Sequence, residues 1–344
     1  MRRKERLPIL AVTCGDPAGV GPEIAVRAAV SRDVRRRARL VLVGPASVWS
    51  AAARVVGVGL RLVPFDEKCG SRPRRRNTVE FAATAEPGEW QWGKISAAGG
   101  ETAFRAVEKA AALIQNGSCD AMVTAPLNKE SLRAAAVPYI GHTEILAGLT
   151  QSEDPLTVFL TGKLCVFFFT RHLPLSEVPA RLETEALHRF ILRCRDTLRE
   201  WGIAHPKLAV AGFNPHCGEH GLLGSEEMRA VEPAVRAAAA EGVDAVGPIG
   251  ADSVFAQAAE GRYDAVVSLY HDQGHIACKT LDFHRTVSVT AGLPFLRVSV
   301  DHGTAFDIAG TGQADAAGMK EAVCVAAAMV ARRFRNEKKN CQSP

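Results

Sequence analysis

Three histidines each come soon after a short apolar stretch that is typical of a buried strand. They are His172 after residues 164–170, His216 after residues 207–213 and His271 after residues 263–270. Because the carboxyl ends of parallel strands meet at one edge of a sheet, we expect the three imidazoles to converge on one cation. Three neutral imidazoles suit Zn²⁺, with Mg²⁺, Mn²⁺ or Co²⁺ as alternatives, and leave positions open for substrate oxygens or water. Each histidine taken alone is more typical of a capping or surface residue.

Two carboxylates and two further histidines lie near this set. Asp272 directly follows His271 and is placed to orient that imidazole or to approach the ion. Asp252 follows a predicted strand and is also suited to a helix N-cap, and the two roles are compatible. His220 and His275 each come four residues after a predicted ligand, which is also a metal-ligand spacing on a helix, and they rank lower.

A second set of residues is suited to binding an anion. His142 and Thr143 follow a glycine at a predicted helix start, where backbone N–H groups favour negative charge. Lys279 and Arg297 each lie near the end of an apolar segment, and together they suit a phosphate or a carboxylate. Taken alone, each basic residue is more typical of a solvated surface.

A glycine-rich loop at residues 301–315 could approach a pyrophosphate or an adenosine closely. Its candidate cofactor-binding residues are Gly303, Thr304, Asp307, Gly310 and Gly312. The glycine turn of TCGDPAGVGPE (13–23) fits either a dinucleotide turn or a plain connection. The motifs GxxxxGK[ST], HExxH and GxSxG are absent, which counts against P-loop kinases, zincins and α/β-hydrolases.

The composition is that of an ordinary globular protein. The chain has 344 residues, 47% hydrophobic and 23% charged, with a net charge of +5, and its arginine clusters lack an accompanying aromatic motif, so no nucleic-acid partner is expected. Nine cysteines without a CxxC pair do not predict a disulfide framework. No apolar run approaches the roughly 20 residues of a membrane helix. We therefore expect a cytoplasmic protein without a membrane partner.

Short apolar runs alternate with helical stretches, which predicts an α/β protein with a largely parallel sheet. The predicted strands are 7–15, 38–44, 120–126, 164–170, 207–213, 263–270 and 287–292. The predicted helices are 22–30, 101–117, 182–202, 226–242 and 314–336. Residues 65–77 are polar and predict a surface loop. The length exceeds that of most single cores, so two lobes are expected.

Eight ordered motifs extend this interpretation over nearly the whole chain, from about residue 9 to residue 330. They are GDPAGVGPEI, TAPLNKESL, GHTEIL, TRHLPL, NPHCGE, GPIGADSVF, YHDQGH and GLPFLRVSVDHGTAFDIAG. In them the chain resembles the 4-hydroxythreonine-4-phosphate dehydrogenase family of pyridoxal phosphate biosynthesis. HGTAFDIAGTG is also similar to the NAD-adenosine loop of isopropylmalate and isocitrate dehydrogenases.

The resemblance implies the isocitrate/isopropylmalate dehydrogenase-like fold. That fold has two lobes, helices on both faces of the sheet, a cleft between the lobes and a homodimer with its active sites at the interface. One lobe would comprise residues 1–130 and 290–344 and carry the NAD-binding loop. The other, 131–289, would carry most metal and substrate residues and the dimer interface.

The resemblance also assigns roles. It makes His172, His216 and His271 metal ligands, puts Asp252 and Asp272 near the metal, and makes His142, Thr143, Lys279 and Arg297 contacts to a phosphorylated substrate. Ser288 falls where the family commonly has asparagine, and serine is shorter and lacks the amide pair. Lys279 could pair with the phosphate or carry a proton.

The implied reaction is oxidation of the secondary alcohol of 4-phosphohydroxy-L-threonine by NAD or NADP. Decarboxylation then gives 3-amino-2-oxopropyl phosphate. Relatives acting on D-threonate 4-phosphate, D-erythronate 4-phosphate or cis-dihydrodiol carboxylates are alternatives, and YHDQGH followed by IACK, with Ser288, favours the four-carbon acids. A metal-dependent hydrolase and a non-catalytic phosphosugar-binding protein are rivals from other classes. The glycine loop at 301–315 favours the dehydrogenase, because a hydrolase has no need of it.

Overall fold

The computed structural model describes residues 6–66 and 77–340, so most of the predicted surface loop 65–77 lies outside the described residues. The chain forms two compact units. The first unit extends to Pro155 and resumes at Val287, and the second unit is Leu156–Thr286. Among the described residues, no helix combines the length and the apolar character that crossing a membrane requires.

The strands of the described residues are short. They are β1 (Ile9–Thr13), β2 (Arg39–Val43), β3 (Arg61–Pro64), β4 (Thr78–Ala82), β5 (Ala121–Thr124), β6 (Leu156–Thr161), β7 (Leu164–Phe168), β8 (Lys207–Ala211), β9 (Asp244–Ile249), β10 (Ala265–Ser268), β11 (Val287–Ala291) and β12 (Arg297–Val300).

The helices connect these strands in alternation. They are α1 (Gly21–Val30), α2 (Arg32–Arg37), α3 (Ala46–Val55), α4 (Ala97–Gln115), α5 (Lys129–Ala134), α6 (His142–Thr150), α7 (Val178–Arg181), α8 (Thr184–Glu200), α9 (Glu232–Ala240), α10 (Ala251–Glu260), α11 (His271–Asp282) and α12 (Ala317–Asn340).

Each unit is built on a largely parallel arrangement of strands. The first unit has the order β3-β4-β2-β1-β5-β12-β11, in which β11 and β12 pair antiparallel and the other pairs are parallel. The second has the order β6-β7-β10-β8-β9, in which the β6–β7 pair is antiparallel. The predicted α/β class with a mostly parallel sheet is therefore confirmed.

Apolar strands form the core of each unit. The sequences ILAVT of β1, AMVT of β5 and LCVFF of β7 are buried at every position. Such unbroken apolar runs are typical of parallel strands covered on both faces. In the first unit α4 contributes Val107 and Leu113 to the core beside Met122 of β5. In the second, α10 contributes Phe255, which packs in the core with Val166 of β7.

The unit boundaries differ from the predicted lobes. They fall after Pro155 and after Thr286, not after residues 130 and 289. The shift follows from packing, because α5 and α6 both contact α4 of the first unit. As a result His142, Thr143 and Ser288 belong to the first unit, whereas the candidate metal ligands belong to the second.

Predicted helix 226–242 begins differently from an α-helix. Its first turn, Glu227–Val231, is π-helical, and α9 follows it directly. A π-helical turn is uncommon and often occurs at functional sites. Helix α4 begins earlier than predicted, at Ala97, because the Ser96 hydroxyl caps it by accepting the Gly99 N–H at 3.0 Å.

We expect Glu80→Gln to destabilise the first unit. The buried Glu80 carboxylate accepts two N–H groups from Arg39, each at 2.6 Å, so the substitution leaves a buried guanidinium without its counter-charge. Breaking such a pair costs about 3–5 kcal/mol, which urea denaturation would measure. The matched Glu108→Gln, in an exposed pair with Arg105, should cost less than about 1 kcal/mol. Equal losses in both variants would contradict this.

Candidate active site

A buried arginine that has no carboxylate partner among the described residues lies at the start of β12. Arg297 is 5% exposed, and its Nε and Nη2 donate to the Thr124 hydroxyl at 3.0 and 2.7 Å, while Nη1 donates to the Thr290 hydroxyl at 3.0 Å. Burial lowers its pKa to about 10. Removing a cation from water without a counter-ion is costly, so this part of the first unit is suited to an anionic ligand.

His142 lies within the electrostatic reach of this guanidinium. It is the first residue of α6, and its Nε2 atom is buried with no hydrogen-bond partner among the described residues. Burial, and then the positive charge of Arg297, hold the pKa of His142 well below 6.5. An orphaned buried nitrogen beside an uncompensated cation indicates a site that a ligand completes. Thr143 follows in the same first helical turn and is half-buried.

Ser288 belongs to the same part of the first unit. It is half-buried on β11, where it pairs with Ser299 of β12. Because side chains alternate along a strand, Ser288 shares a face with Thr290, which contacts Arg297. Lys279, in contrast, lies in the second unit near the end of α11, with its Nζ 5.4 Å from the centre of the Phe283 ring.

Two of the three candidate metal ligands approach each other. His172 follows β7 and is exposed, His271 begins α11, and their ring centres are 5.9 Å apart. His271 Nδ1 lies 2.6 Å from the Asp272 carboxylate, which can only accept a hydrogen bond. Nδ1 therefore carries the hydrogen, and Nε2 keeps the lone pair that a metal ligand needs.

His275 supports His271 and is not exposed as a separate ligand. Its ring stacks on that of His271 at 3.6 Å and packs at 4.2 Å from Phe159 and 4.4 Å from Phe168. Its Nδ1 lies 2.8 Å from the backbone carbonyl of His271 and therefore donates to it. This packing fixes the orientation of the first turn of α11.

His216 lies apart, on a turn of left-handed backbone at Pro215–Gly221, and is exposed. In the described parts of the chain, no group of three or more His, Cys, Asp or Glu side chains is arranged to hold a metal ion. The expected convergence of all three imidazoles is therefore not met within one chain. The donor set of three imidazoles still suits a divalent ion chemically, and within the described chain two of the candidates, His172 and His271, lie near each other.

Asp252 is exposed in the first turn of α10. It is not the N-cap, because that position belongs to Gly250. The Ser253 hydroxyl donates to the Gly250 carbonyl at 3.1 Å. Of the two sequence interpretations of Asp252, the cap is therefore wrong.

Gln273 is a buried residue that the sequence analysis missed. Its Oε1 accepts the backbone N–H of Leu269 at 2.8 Å, and its Nε2 donates to the carbonyl of Gly212 at 2.7 Å. It thereby links the segment before His271 to the one before His216. A glutamine at the third position of a helix often reaches back to the residues before the helix, which was the available signal.

The glycine loop is fixed by α1. Glu23 is buried, and its carboxylate accepts the N–H groups of Gly310 at 2.7 Å and Gly312 at 3.1 Å. Arg27 donates to the Gly312 carbonyl at 2.7 Å. Gly310 has φ +81°, and a Cβ there would come within 2.5 Å of Trp92. These two glycines thus serve the loop's own packing, and their amides are already engaged.

The remaining cofactor candidates of this loop divide by exposure. Gly303 and Asp307 are exposed, and nothing lies within 4 Å of a Cβ built on Gly303, which leaves room for a ligand. Thr304 is buried, and its carbonyl accepts the Val20 N–H at 2.9 Å. The backbone of the loop is therefore held in place, while its edge at Gly303 and Asp307 is accessible to a ligand.

Two open depressions flank the candidate ligands of the second unit. One, of about 460 Å³, is lined by residues 169–173, Arg181 and Ala186, and so includes His172. The other, of about 400 Å³, is lined by His216, Cys217, Glu219, His220, Glu232, Arg236, Gly247 and Pro248. Both candidate ligands are thus accessible to a small molecule.

Comparisons with known proteins agree on one family. The family model described as "Pyridoxal phosphate biosynthetic protein PdxA" matches residues 36–326. A relative from Symbiobacterium thermophilum, named "Putative D-threonate 4-phosphate dehydrogenase", is 49% identical over 322 residues, which cover 93% of this chain and 96% of the relative.

Solved structures give the same result. A 4-hydroxythreonine-4-phosphate dehydrogenase from Klebsiella pneumoniae is 40% identical, with a TM-score of 0.85 and coverage of 95% of this chain and 99% of that chain. One from Burkholderia phymatum is 37% identical, with a TM-score of 0.83 and coverage of 94% and 98%.

The environment of His142 predicts a pH dependence of stability. Unfolding restores its pKa to about 6.5, above the folded value, so the unfolded chain binds the extra proton and stability falls as pH decreases below 6.5. His142→Asn should remove this part of the slope, measured by urea denaturation from pH 8 to pH 5.5. Exposed His205→Asn is the control. A slope that His142→Asn leaves unchanged would contradict the assignment.

Proposed function

Because the chain belongs to the PdxA family and is a dehydrogenase of that type, we propose that it oxidises the secondary alcohol of a four-carbon 4-phosphorylated acid with NAD or NADP. D-Threonate 4-phosphate is the first candidate substrate, and 4-phosphohydroxy-L-threonine is the second. The observation that carries the proposal is the buried Arg297, which within the described part of the chain is paired only with hydroxyls, near the buried His142 nitrogen that has no partner there.

The phosphate group is assigned to this buried arginine. A guanidinium offers a planar fork of donors that matches phosphate oxygens, and an anion would supply the charge that Thr124 and Thr290 cannot. His142, being neutral, can donate one hydrogen bond without adding a second buried charge. Thr143 and the N-terminus of α6 add donors of the kind that phosphate accepts.

The order of the two candidates rests on sequence. The relative named for D-threonate 4-phosphate shares more identity with this chain than the solved 4-hydroxythreonine-4-phosphate dehydrogenases do. Ser288 lies on the same face of β11 as Thr290, at the position where the family commonly has asparagine. The two substrates differ in a hydroxyl or an amine beside the carboxylate, so one changed polar contact is a plausible basis for discrimination.

The candidate metal ligands fit a divalent ion such as Zn²⁺ by their chemistry. His172 and His271 would hold it with His216, and Asp272 would orient His271. When bound, such an ion lowers the pKa of a hydroxyl and later polarises a carbonyl. Since one chain does not assemble all three imidazoles, we infer that a homodimer completes the set.

Exposed apolar side chains on α11 and directly after it support a homodimer. Ile276 and Phe283 are each 63% exposed, and Leu281 is 51% exposed. Ile276 and Leu281 lie on the helix that begins with His271, and Phe283 directly follows it, so a second copy covering them would also approach this candidate ligand. Burial of such side chains is the usual driving force of association.

The protein's own groups account for the remaining steps. Arg297 and His142 bind the phosphate group of the substrate. This contact holds the C–H bond of the neighbouring secondary alcohol in one orientation. The hydroxyl proton of the alcohol passes to solvent, and the hydride from the same carbon passes to the nicotinamide, which is thereby reduced. The resulting 3-oxo acid breaks its bond to the carboxylate, CO₂ departs, and a proton adds to the adjacent carbon. Lys279 is the candidate carrier for that proton.

The other classes are less well supported. A hydrolase needs no cofactor loop, whereas Glu23 and Arg27 hold the loop at 301–315 in a fixed shape. A cis-dihydrodiol carboxylate substrate carries no phosphate and would leave part of the buried donor set unused. A purely binding protein would not need candidate metal ligands.

The decisive experiment is a substrate panel monitored by absorbance of the reduced nicotinamide at 340 nm. D-Threonate 4-phosphate should give turnover that chelation abolishes and added Zn²⁺, Mn²⁺ or Co²⁺ restores. 4-Phosphohydroxy-L-threonine, D-erythronate 4-phosphate and a cis-dihydrodiol carboxylate are the comparison substrates. Turnover with the dihydrodiol alone would contradict the phosphate assignment, and no reduction with any of them would contradict the proposed activity.

Arg297→Lys tests the phosphate contact while keeping a positive charge. Losing a charge-assisted contact costs about 1.5–3 kcal/mol, so KM for the phosphorylated substrate should rise about ten- to a hundredfold. KM for the unphosphorylated acid should change little, and Arg105→Lys, at an exposed site, is the control. Equal increases for both substrates would show that Arg297 does not contact the phosphate.

A further inference from the structure

A buried glutamate in the second unit accepts hydrogen bonds from the segment that leads to His216. Glu227 is 1% exposed, and its Oε1 accepts the backbone N–H groups of Phe213 at 2.8 Å and Asn214 at 2.6 Å. Its Oε2 accepts the Asn214 side-chain N–H at 2.9 Å. Within the described residues no cation pairs with this carboxylate, so backbone and amide N–H groups satisfy it.

The segment held in this way precedes a strained turn. The φ angles of His216, Cys217, Gly218, Glu219 and His220 are +52°, +54°, +76°, +43° and +55°. Residues other than glycine rarely adopt this left-handed backbone conformation. A run of several such residues is stable only where surrounding groups hold it in place. The turn therefore needs an external anchor to keep one conformation.

The carboxylate also contacts the turn from its other side. A Cβ on Gly218 would lie 2.9 Å from Glu227 Oε2 and 2.7 Å from the Gly224 carbonyl. A Cβ on Gly224 would lie 2.3 Å from the Asn214 side chain. Glu227 is thus packed between the start of the turn and its middle, with no space for an added methyl group.

We propose that Glu227 is a positioning residue, which fixes His216 in the orientation that binds the metal ion. The inference rests on the proposed function, because it takes His216 as a ligand. It goes beyond that function by assigning the geometry of this ligand to a buried carboxylate on the π-helical turn before α9. Outer groups that orient metal ligands commonly change metal affinity ten- to a hundredfold when removed.

Glu227→Gln is the direct test. If the new amide oxygen stays on the two backbone N–H groups, the new NH₂ faces the Asn214 side-chain N–H, which is also a donor. Asn214 cannot turn without losing its second hydrogen bond, to Glu226 at 2.8 Å. We expect Zn²⁺ affinity, measured by competition with a chromophoric chelator, to fall about ten- to a hundredfold.

Glu226→Gln is the matched control. It removes the same charge at the neighbouring position, keeps an oxygen for Asn214 and leaves the backbone contacts of Glu227 intact. Its Zn²⁺ affinity should stay within about twofold of the wild type. An equal loss in both variants would assign the effect to local charge and overturn the proposal.

The melting temperature of each variant in EDTA, where no metal is bound, reports the stability of the fold alone. Compared with the Zn²⁺ affinity, it separates a positioning role from a merely structural one. A folded Glu227→Gln protein with unchanged Zn²⁺ affinity overturns the proposal, whatever its melting temperature. If that variant does not fold, Gly218→Ala replaces it, because its methyl group forces the carboxylate and the turn apart. Unchanged Zn²⁺ affinity of the Gly218→Ala protein would also overturn the proposal. Wild-type protein that binds no Zn²⁺ contradicts the proposed metal site itself, whereas failure of the variants alone contradicts only the role of Glu227.

Discussion

The first unit is organised around a positive charge that the protein buries without neutralising it. Arg297 is held by the hydroxyls of Thr124 and Thr290, which supply hydrogen bonds but no negative charge. The strand order β5-β12-β11 places these three residues on neighbouring strands. His142, neutral because of the same burial and charge, adds a nitrogen without a partner. This arrangement is chemically suited to an anionic ligand.

Buried carboxylates play the complementary role at the loops. Glu23 accepts amides of the glycine loop, and Glu227 accepts amides of the segment before His216. Backbone N–H groups of the loop donate hydrogen bonds to each carboxylate. A helical glutamate can therefore fix a loop without a positively charged side chain as its partner. A loop held in this way loses little conformational freedom when a ligand binds, which favours affinity.

Much of the fold and part of the site could be predicted from the sequence. Strong apolar runs such as ILAVT gave the central strands, and the ordered motifs gave the family, which the comparisons confirm. The contacts of Glu227, and the contact of Gln273 with Gly212, could not be predicted, because they join residues whose proximity arises only after the strands assemble. The sequence also did not reveal that the three candidate histidines form no common group within the described chain, since position after a strand does not reveal the handedness of the following turn.

The left-handed turn at Pro215–Gly221 has a consequence for how sequence variation is tolerated there. Four of its six left-handed residues carry a side chain, each at a cost of about 1–2 kcal/mol. Glycine at those four positions would relieve the strain and ease folding, yet it would also widen the set of shapes available to the turn. The protein instead retains a strained turn that lowers its stability but restricts the turn to fewer conformations.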